Sequence, residues 1–397
     1  MDVVLLGAGA SVEAGVPSAL SMTKEIISLF KEQEDLPLRR ALLLLLGGLQ
    51  MRNATLKADV GVGVDVERLI NGATLLANRF DTELAPFVGT WHPLVDEIER
   101  LAKDPANPGE VADEIGRAIM SSIDNRGRAT YSSYNIRRAL EESFEKTSSQ
   151  VDGYLYKTLV DSITNKLLQL TWIENSERVS YFEKLVRAGN NKRITIATLN
   201  YDNSIELAAR SFGIPCESGI EYWINNGSLP DVNVGVEILK LHGSVDWRWV
   251  GQEWDDENRL RSRKIEKLSH EEMMANIGSF RSSRGYRRQS NLGVIFGKEN
   301  KLTAEGPFLD LFMRFRQRLA GARNLYVIGY SFRDLHVNMA IVDWIAEKGS
   351  EKHITIIEAP NFDQYEHPFW KHYGWHERDR CSFLTCGAKE GIGSSFP

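Results

Sequence analysis

Residues 5–18 read Leu5-Leu6-Gly7-Ala8-Gly9-Ala10-Ser11-Val12-Glu13-Ala14-Gly15-Val16-Pro17-Ser18, a dense run of small residues set directly behind an apolar stretch. Val3, Val4, Leu5 and Leu6 are apolar at every position, as in a strand covered on both faces. Gly7, Gly9 and Gly15 let the backbone turn tightly and come close to a neighbour, and Pro17 sets the direction of the chain beyond them. A strand ending in a glycine-rich turn that leads into a helix is one way to hold a phosphate. The helix offers unpaired N–H groups and the positive end of its dipole. The fold therefore turns on whether later strands carry comparable residues at their ends.

Beyond Ser18 the pattern becomes helical. Apolar residues recur at spacings of three and four over 22–30, 38–49, 66–78, 94–101, 111–123 and 154–172, with no convincing strand between Leu20 and Arg187. Strand signals return at 194–197, 236–241, 294–296, 325–328 and 353–357, with helical segments at 204–212 and 336–348. Strand, crossover helix, strand is the pattern of a parallel sheet. The expectation is an α/β chain: a Rossmann-like doubly wound parallel sheet with a large all-helical insertion after the first strand and helix. The sheet domain would comprise 1–20 and 190–397, and the insertion 21–189. A dehydrogenase would end its second strand on Asp or Glu about 20 residues after the glycine turn. Here Lys24–Phe30 reads as helix, which argues against that plan.

At 397 residues the chain can bury a sizeable core. Its net charge of −6 argues against a general nucleic-acid binder, so no direct nucleic-acid contact is expected. No apolar run approaches the length needed to cross a membrane; Ala41–Leu46 is too short and reads as core helix. The N-terminus lacks the layout of a secretory signal. Cys216, Cys381 and Cys386 are odd in number and lie outside any CxxC pair, which points to a reducing cytoplasm and to no zinc ribbon. The last five or so residues read as frayed.

In parallel sheets, ligands bind beyond the carboxyl ends of the strands. Gly7-Ala8-Gly9-Ala10-Ser11 follows the first predicted strand, and Thr198-Leu199-Asn200-Tyr201-Asp202 the second. His242-Gly243-Ser244 follows the third, Gly329-Tyr330-Ser331-Phe332-Arg333-Asp334 the strand at Leu325, and Glu358 ends the last. This ordered set resembles the sirtuin superfamily. GAGAS with GVP is similar to its cofactor loop, TLNYD to its TxNxD motif, and LHGS to its His-Gly motif. IFGKENKL is similar to the segment that follows, and GYSFRD to its later phosphate and ribose motif.

Two departures separate the chain from protein-deacylating sirtuins. Ser18-Ala19-Leu20 stands where those carry a Phe-Arg pair, and no cysteine lies between His242 and Phe296, where they carry a four-cysteine zinc ribbon. A polar, basic insertion, Arg259–Arg288, occupies that place. With its helical insertion the chain resembles instead the sirtuin-like NADases of bacterial anti-phage systems. That resemblance implies cleavage of NAD to nicotinamide and ADP-ribose in abortive infection, homo-oligomers, and a hexameric HerA-type ATPase partner. The alternatives are an NAD-dependent protein-lysine deacylase, a non-catalytic NAD- or ADP-ribose-binding scaffold, and a cyclase working through the same intermediate.

Cleavage of the nicotinamide–ribose bond builds positive charge on the sugar, as in glycoside cleavage. It needs placement and a base. By the resemblance His242 is that base, Asn200 orients water and ribose, and Asp202 bonds the nicotinamide carboxamide. Gly7, Ala8, Gly9, Ala10, Ser11, Gly15, Pro17, Thr198, Gly329 and Ser331 would surround the cofactor, with Gly9, Ser11 and Ser331 at its phosphates. Asp334 or Glu358 would hold a ribose hydroxyl. Plainer readings stand beside these. His242 alone reads as a satisfied buried histidine, and Asn200, Asp202 and Asp334 as helix caps. The aromatic group from Phe369 to His376 reads as packing. The run Arg281, Arg284, Arg287, Arg288 reads as a solvated loop or a partner face. Arg333 stands where a nucleophile elbow has its second glycine, which argues against a serine hydrolase.

Overall fold

The computed structural model describes residues 2–30, 36–55, 63–80, 93–103, 153–191, 194–232, 235–250, 264–269, 271–272, 275, 292–294, 306–347, 351–359, 367–373 and 378–396. They divide into two compact units, residues 1–18 with 168–397, and residues 19–167.

The first unit is a sheet of seven strands: β1 (Asp2–Leu6), β2 (Ile194–Thr198), β3 (Cys216–Glu217), β4 (Val236–Lys240), β8 (Asn324–Ile328), β9 (His353–Glu358) and β10 (Cys381–Thr385). Their spatial order is β10-β9-β8-β1-β2-β4-β3, and every pairing is parallel. The chain starts in the middle, builds outward through β2, β4 and β3, then returns to the other side of β1 for β8, β9 and β10. The sheet is doubly wound, and its switch point lies beside β1. Register is flush: Leu6 pairs with both Thr198 and Ile328, and Thr198 with Lys240, so these strands end at one level.

Val3, Val4, Leu5 and Leu6 are all at most 1% exposed, as a central strand requires. Val3, Leu5, Leu325, Val327, Ile354 and Ile356 share one core with Phe308, Leu311 and Phe315 of α9 (Phe308–Ala320) and with Ile341 and Trp344 of α10 (Leu335–Ile345). On the other side, a 3₁₀ segment (Ser176–Phe182), α6 (Glu183–Asn191), α7 (Ser204–Ser211) and α12 (Ala388–Ser395) pack together. Gly391 of α12 lies so close to β9 that a Cβ there would come within 2.3 Å of Ile357 Cγ2. One buried carboxylate sits within β4: Glu237 accepts from Thr195 Oγ1 at 2.7 Å and from both Nε and Nη2 of Arg318 at 2.6 and 2.9 Å. The bidentate guanidinium fastens α9 to the sheet.

The regular elements among the described residues of the second unit are all helices: α1 (Ala19–Leu29), α2 (Leu36–Thr55), α3 (Val66–Ala77), α4 (Pro93–Lys103) and most of α5 (Tyr154–Thr171). Its buried residues include Ile26, Leu42, Leu69, Leu94, Tyr156 and Ile163. Fully buried Arg79 pairs with Glu99 at 2.6 Å, and Glu99 in turn accepts from the Leu155 backbone at 3.2 Å.

Several boundaries differ from the sequence reading. The strand β1 runs into a single 3₁₀ turn, Ala8–Ser11, and the first α-helix belongs to the helical unit. Gly15, at φ +80°, and Pro17 break the helical path between them. Residues 168–189, assigned to the insertion, group with the sheet unit, where the Asn203 side chain pairs with both the N–H and the C=O of Ile173. The strand signal at 294–296 was counted with the parallel sheet. Instead β7 (Leu292–Val294) pairs antiparallel with β5 (Gly243–Val250), which also pairs with β6 (Lys264–Lys267) in a separate three-stranded sheet. The described C-terminal residues, up to Phe396, are not frayed: Phe396 is 4% exposed and its ring lies 4.8 Å from that of Tyr326. The helix expected at 111–123, the run Arg281–Arg288 and the IFGKENKL segment lie outside the described residues, as do Trp375 and His376.

Phe369 and Trp370 pack as expected. Phe369 lies 5.1 Å from Phe332 and 5.6 Å from Trp370, ring to ring. His367, 1% exposed, meets Phe332 and Phe383 edge-on and accepts the Phe369 N–H on Nδ1 at 3.1 Å. Burial lowers its pKa from 6.5 to about 4. As pH falls, the unfolded chain takes up this proton first, so stability is full above about pH 6.5 and declines toward pH 4. Urea unfolding of His367→Gln followed from pH 7.5 to 4 should therefore show a shallower decline than wild type, by up to one proton per molecule.

Candidate active site

The turn after β1 and the turn after β8 meet backbone to backbone. Gly7 N–H donates to Ile328 O and Gly9 N–H to Gly329 O, each at 2.9 Å. A Cβ on Gly7 would stand 2.6 Å from Gly329 O, and one on Gly329, at φ +60°, 2.4 Å from the Ala10 nitrogen. The close approach that the glycines permit is thus first an approach of the protein to itself. Ala8 is exposed, Gly9 is half-buried, and the fully buried Ala10 accepts from the Tyr181 hydroxyl at 2.5 Å. Burial, with Asp202 adding to it, pushes the Tyr181 pKa up.

The β2 loop leans onto this turn. Asn200, 9% exposed, donates through Nδ2 to Gly7 O at 2.9 Å and to Ser11 Oγ at 3.1 Å, and its own N–H bonds Thr198 Oγ1 at 3.0 Å. Two acceptors on Nδ2 fix the orientation of the amide and leave Oδ1 as its acceptor atom. Ser11, expected at a phosphate, is 1% exposed with its hydroxyl engaged by Asn200, which sets it under the site. Asp202, 3% exposed, accepts the Ser204 N–H on Oδ1 at 3.0 Å and so caps α7. Its backbone carbonyl accepts from Lys240 Nζ.

Lys240 is the last residue of β4, 1% exposed, and its ammonium also pairs with Glu206 at 3.1 Å. Burial lowers its pKa, but Glu206, Asp202 and Asp246 outweigh this and raise it, so it stays charged. His242 follows two residues later, 4% exposed, and its Nε2 lies 2.9 Å from Asp334 Oδ2. The strands β4 and β8, which carry these two residues, stand three strand spacings apart, roughly 14 Å. The two loops therefore reach over the ends of β1 and β2 to meet. Asp334 Oδ1 meanwhile caps α10, accepting from His336 and Val337 at 3.0 and 3.2 Å. Offered by the sequence for a ribose hydroxyl, Asp334 has both carboxylate oxygens engaged with protein.

The remaining expected residues are Gly329, Glu358, Ser331, Pro17 and Gly15. Gly329 is joined through its N–H to Ile357 O at 2.9 Å, which brings Glu358 alongside; burial raises the Glu358 pKa. Ser331 is exposed, Pro17 half-buried, and Gly15 exposed against the Arg178 guanidinium, where a Cβ would meet Nη2 at 2.2 Å. Sequence reasoning missed Lys240 and Tyr181. A lysine at the end of a strand that also carries Glu237 was the available signal for the first. Tyr181 lay in a segment read as insertion, and nothing local marked it.

The fold places the sheet unit in the class of Rossmann-like, doubly wound α/β proteins. Residues 194–376 match the family model of the SIR2-like domain, a stretch that takes in Asn200, Asp202, His242, Gly329 and Asp334. No curated protein matches the chain. Similar solved structures include Sir2Tm bound to a propionylated peptide (11% identity, 99% of this chain and 91% of that one, TM-score 0.40). Another is Sir2 with a p53 peptide and NAD+ (11% identity, the same coverage, TM-score 0.38).

Replacing Lys240 by Met removes the charge that holds the Asp202 carbonyl and faces Glu206. Thermal and urea denaturation should show a loss of about 1–3 kcal/mol, the range for a buried polar group deprived of its partner.

Proposed function

We propose that the chain is an NAD glycohydrolase that cleaves the bond between nicotinamide and ribose. One observation carries the reading. Within a segment matching the SIR2-like domain, Asn200, Asp202 and His242 gather at the carboxyl ends of neighbouring strands, beside the glycine turn of β1. That is where doubly wound sheets bind nucleotides. The donor set fits the dinucleotide. Asn200 offers Oδ1 to a water or ribose hydroxyl, Asp202 offers Oδ2 to the carboxamide, and Ala8, Gly9 and Ser331 line the rim for phosphate oxygens. Bound there, NAD supplies a cationic leaving group. In the overall change the ribosyl C1′–N bond breaks, a C1′–O bond to water forms, and the water proton passes to His242.

Depletion of NAD in anti-phage defence, self-association, and pairing with a hexameric HerA-type ATPase belong to the same proposal, and rest on the sequence resemblance.

Nicotinamide release from NAD, followed chromatographically with and without a HerA-type ATPase, tests it. Wild type should release nicotinamide, and His242→Ala and Asn200→Ala should lower the rate by at least about 100-fold, each also melting below wild type because a buried partner, Asp334 or Gly7 O, loses its hydrogen bond. Release that requires an acyl-lysine peptide would replace hydrolysis by deacylation. NAD bound intact under every condition would leave a binding protein.

A further inference from the structure

The loop between β8 and α10 is built more elaborately than a helix cap requires. Capping α10 takes one oxygen, Asp334 Oδ1, and a serine there would serve. Around it, Gly329 at φ +60° and Phe332 at φ +53° are both left-handed, the second a conformation that a side chain of this size rarely adopts. The strain is held in place from three sides. Asn338 Nδ2 donates to Phe332 O at 2.8 Å, and the Tyr330 hydroxyl receives the Asp334 N–H at 3.0 Å and lies 2.8 Å from Asn338 Oδ1. The Phe332 ring packs on Tyr330, His367 and Phe369 at 4.8, 4.8 and 5.1 Å. What this bracing fixes is the second oxygen, Oδ2, against His242 Nε2, with both side chains 5% exposed. Burying a carboxylate is unfavourable unless its partner geometry is good, and a cap alone gives no reason to aim the other oxygen into the site.

We propose that Asp334 is the positioning residue of His242: it accepts the Nε2 proton, fixes that tautomer, and so makes Nδ1 the nitrogen that takes the proton in the proposed hydrolysis. The carboxylate itself touches neither the sugar nor the water. The role rests on the glycohydrolase reading for its chemistry, and on the 2.9 Å contact for its geometry. A neutral imidazole has one donor and one acceptor nitrogen, and the partner of one decides the role of the other.

The test uses the full chain and Asp334→Asn. Asparagine keeps an oxygen for the α10 cap and turns an N–H toward His242, which reverses the tautomer. In ¹⁵N–¹H imidazole spectra, with His242 assigned by its loss in His242→Gln, wild type should carry its proton on Nε2 and Asp334→Asn on Nδ1. In nicotinamide release, Asp334→Asn should lower kcat by at least about 100-fold with KM for NAD unchanged. A wild-type proton on Nδ1 would overturn the proposal. So would a variant whose KM rises at unchanged kcat, because that is the signature of a lost ribose contact. Should Asp334→Asn melt early, Asp334→Ser keeps the cap without reaching His242 and should leave the ring in both tautomers. If wild type with its ATPase releases no nicotinamide, the glycohydrolase reading falls, and the tautomer decides the pairing by itself.

Discussion

Above the sheet, the structure depends on two backbones that pass within hydrogen-bonding distance where side chains would forbid it. Gly7 and Gly9 lie against Ile328 and Gly329, and a single methyl group at Gly7, Gly9 or Gly329 would sit 2.4–2.8 Å from the opposite main chain. This contact closes the end of the β1–β8 pair at the switch point. Asn200 then seats on Gly7 O, Ser11 beneath Asn200, and the Asp334 loop begins from Gly329. The glycines that invite a ligand reading are thus required first by the fold. What a ligand would meet is the surface that this crossing leaves behind.

Charge is distributed by a similar logic. Two ionised side chains lie within the parallel sheet at β4, and each is answered locally: Glu237 by Arg318 and Thr195, Lys240 by Glu206 and the Asp202 carbonyl. Glu237 ties a helix to the sheet. Lys240 ties the β2 loop to the end of β4, so Asp202 and His242 hang from adjacent, mutually anchored supports. Ionisable groups buried in this way tolerate little displacement, because an unanswered charge in such surroundings is strongly unfavourable.

The sequence made the parallel sheet legible because β1, β2, β4, β8 and β9 are short runs rich in Val, Ile and Leu, most of them followed by small or polar residues. Asn200, Asp202 and His242 stood out for the same reason. The three-stranded sheet was less visible, although Val245, Trp247 and Trp249 alternate in β5 as a one-sided strand does. The boundary at residue 168 was hidden because α5 keeps one helical stripe across it. Pairing of His242 with Asp334 could not be read at all. It joins loops from strands that are not neighbours, through a bend set by a left-handed phenylalanine, and no local pattern encodes such a reach.

The position of β1 has a further consequence, for the order in which the chain can fold. Asp2–Leu6 is the central strand, yet one neighbour starts at Ile194 and the other at Asn324, whose side chain donates to Asp2 Oδ1 at 2.9 Å. On the ribosome this apolar strand emerges before either partner exists. It must wait through the synthesis of the whole helical unit, at about 5–20 residues per second, and then through that of β8. Contacts of such long range are slow to form. The earliest-made piece of the sheet is therefore among the last to be completed, and until then its exposed edges are open to a chaperone or to a wrong strand.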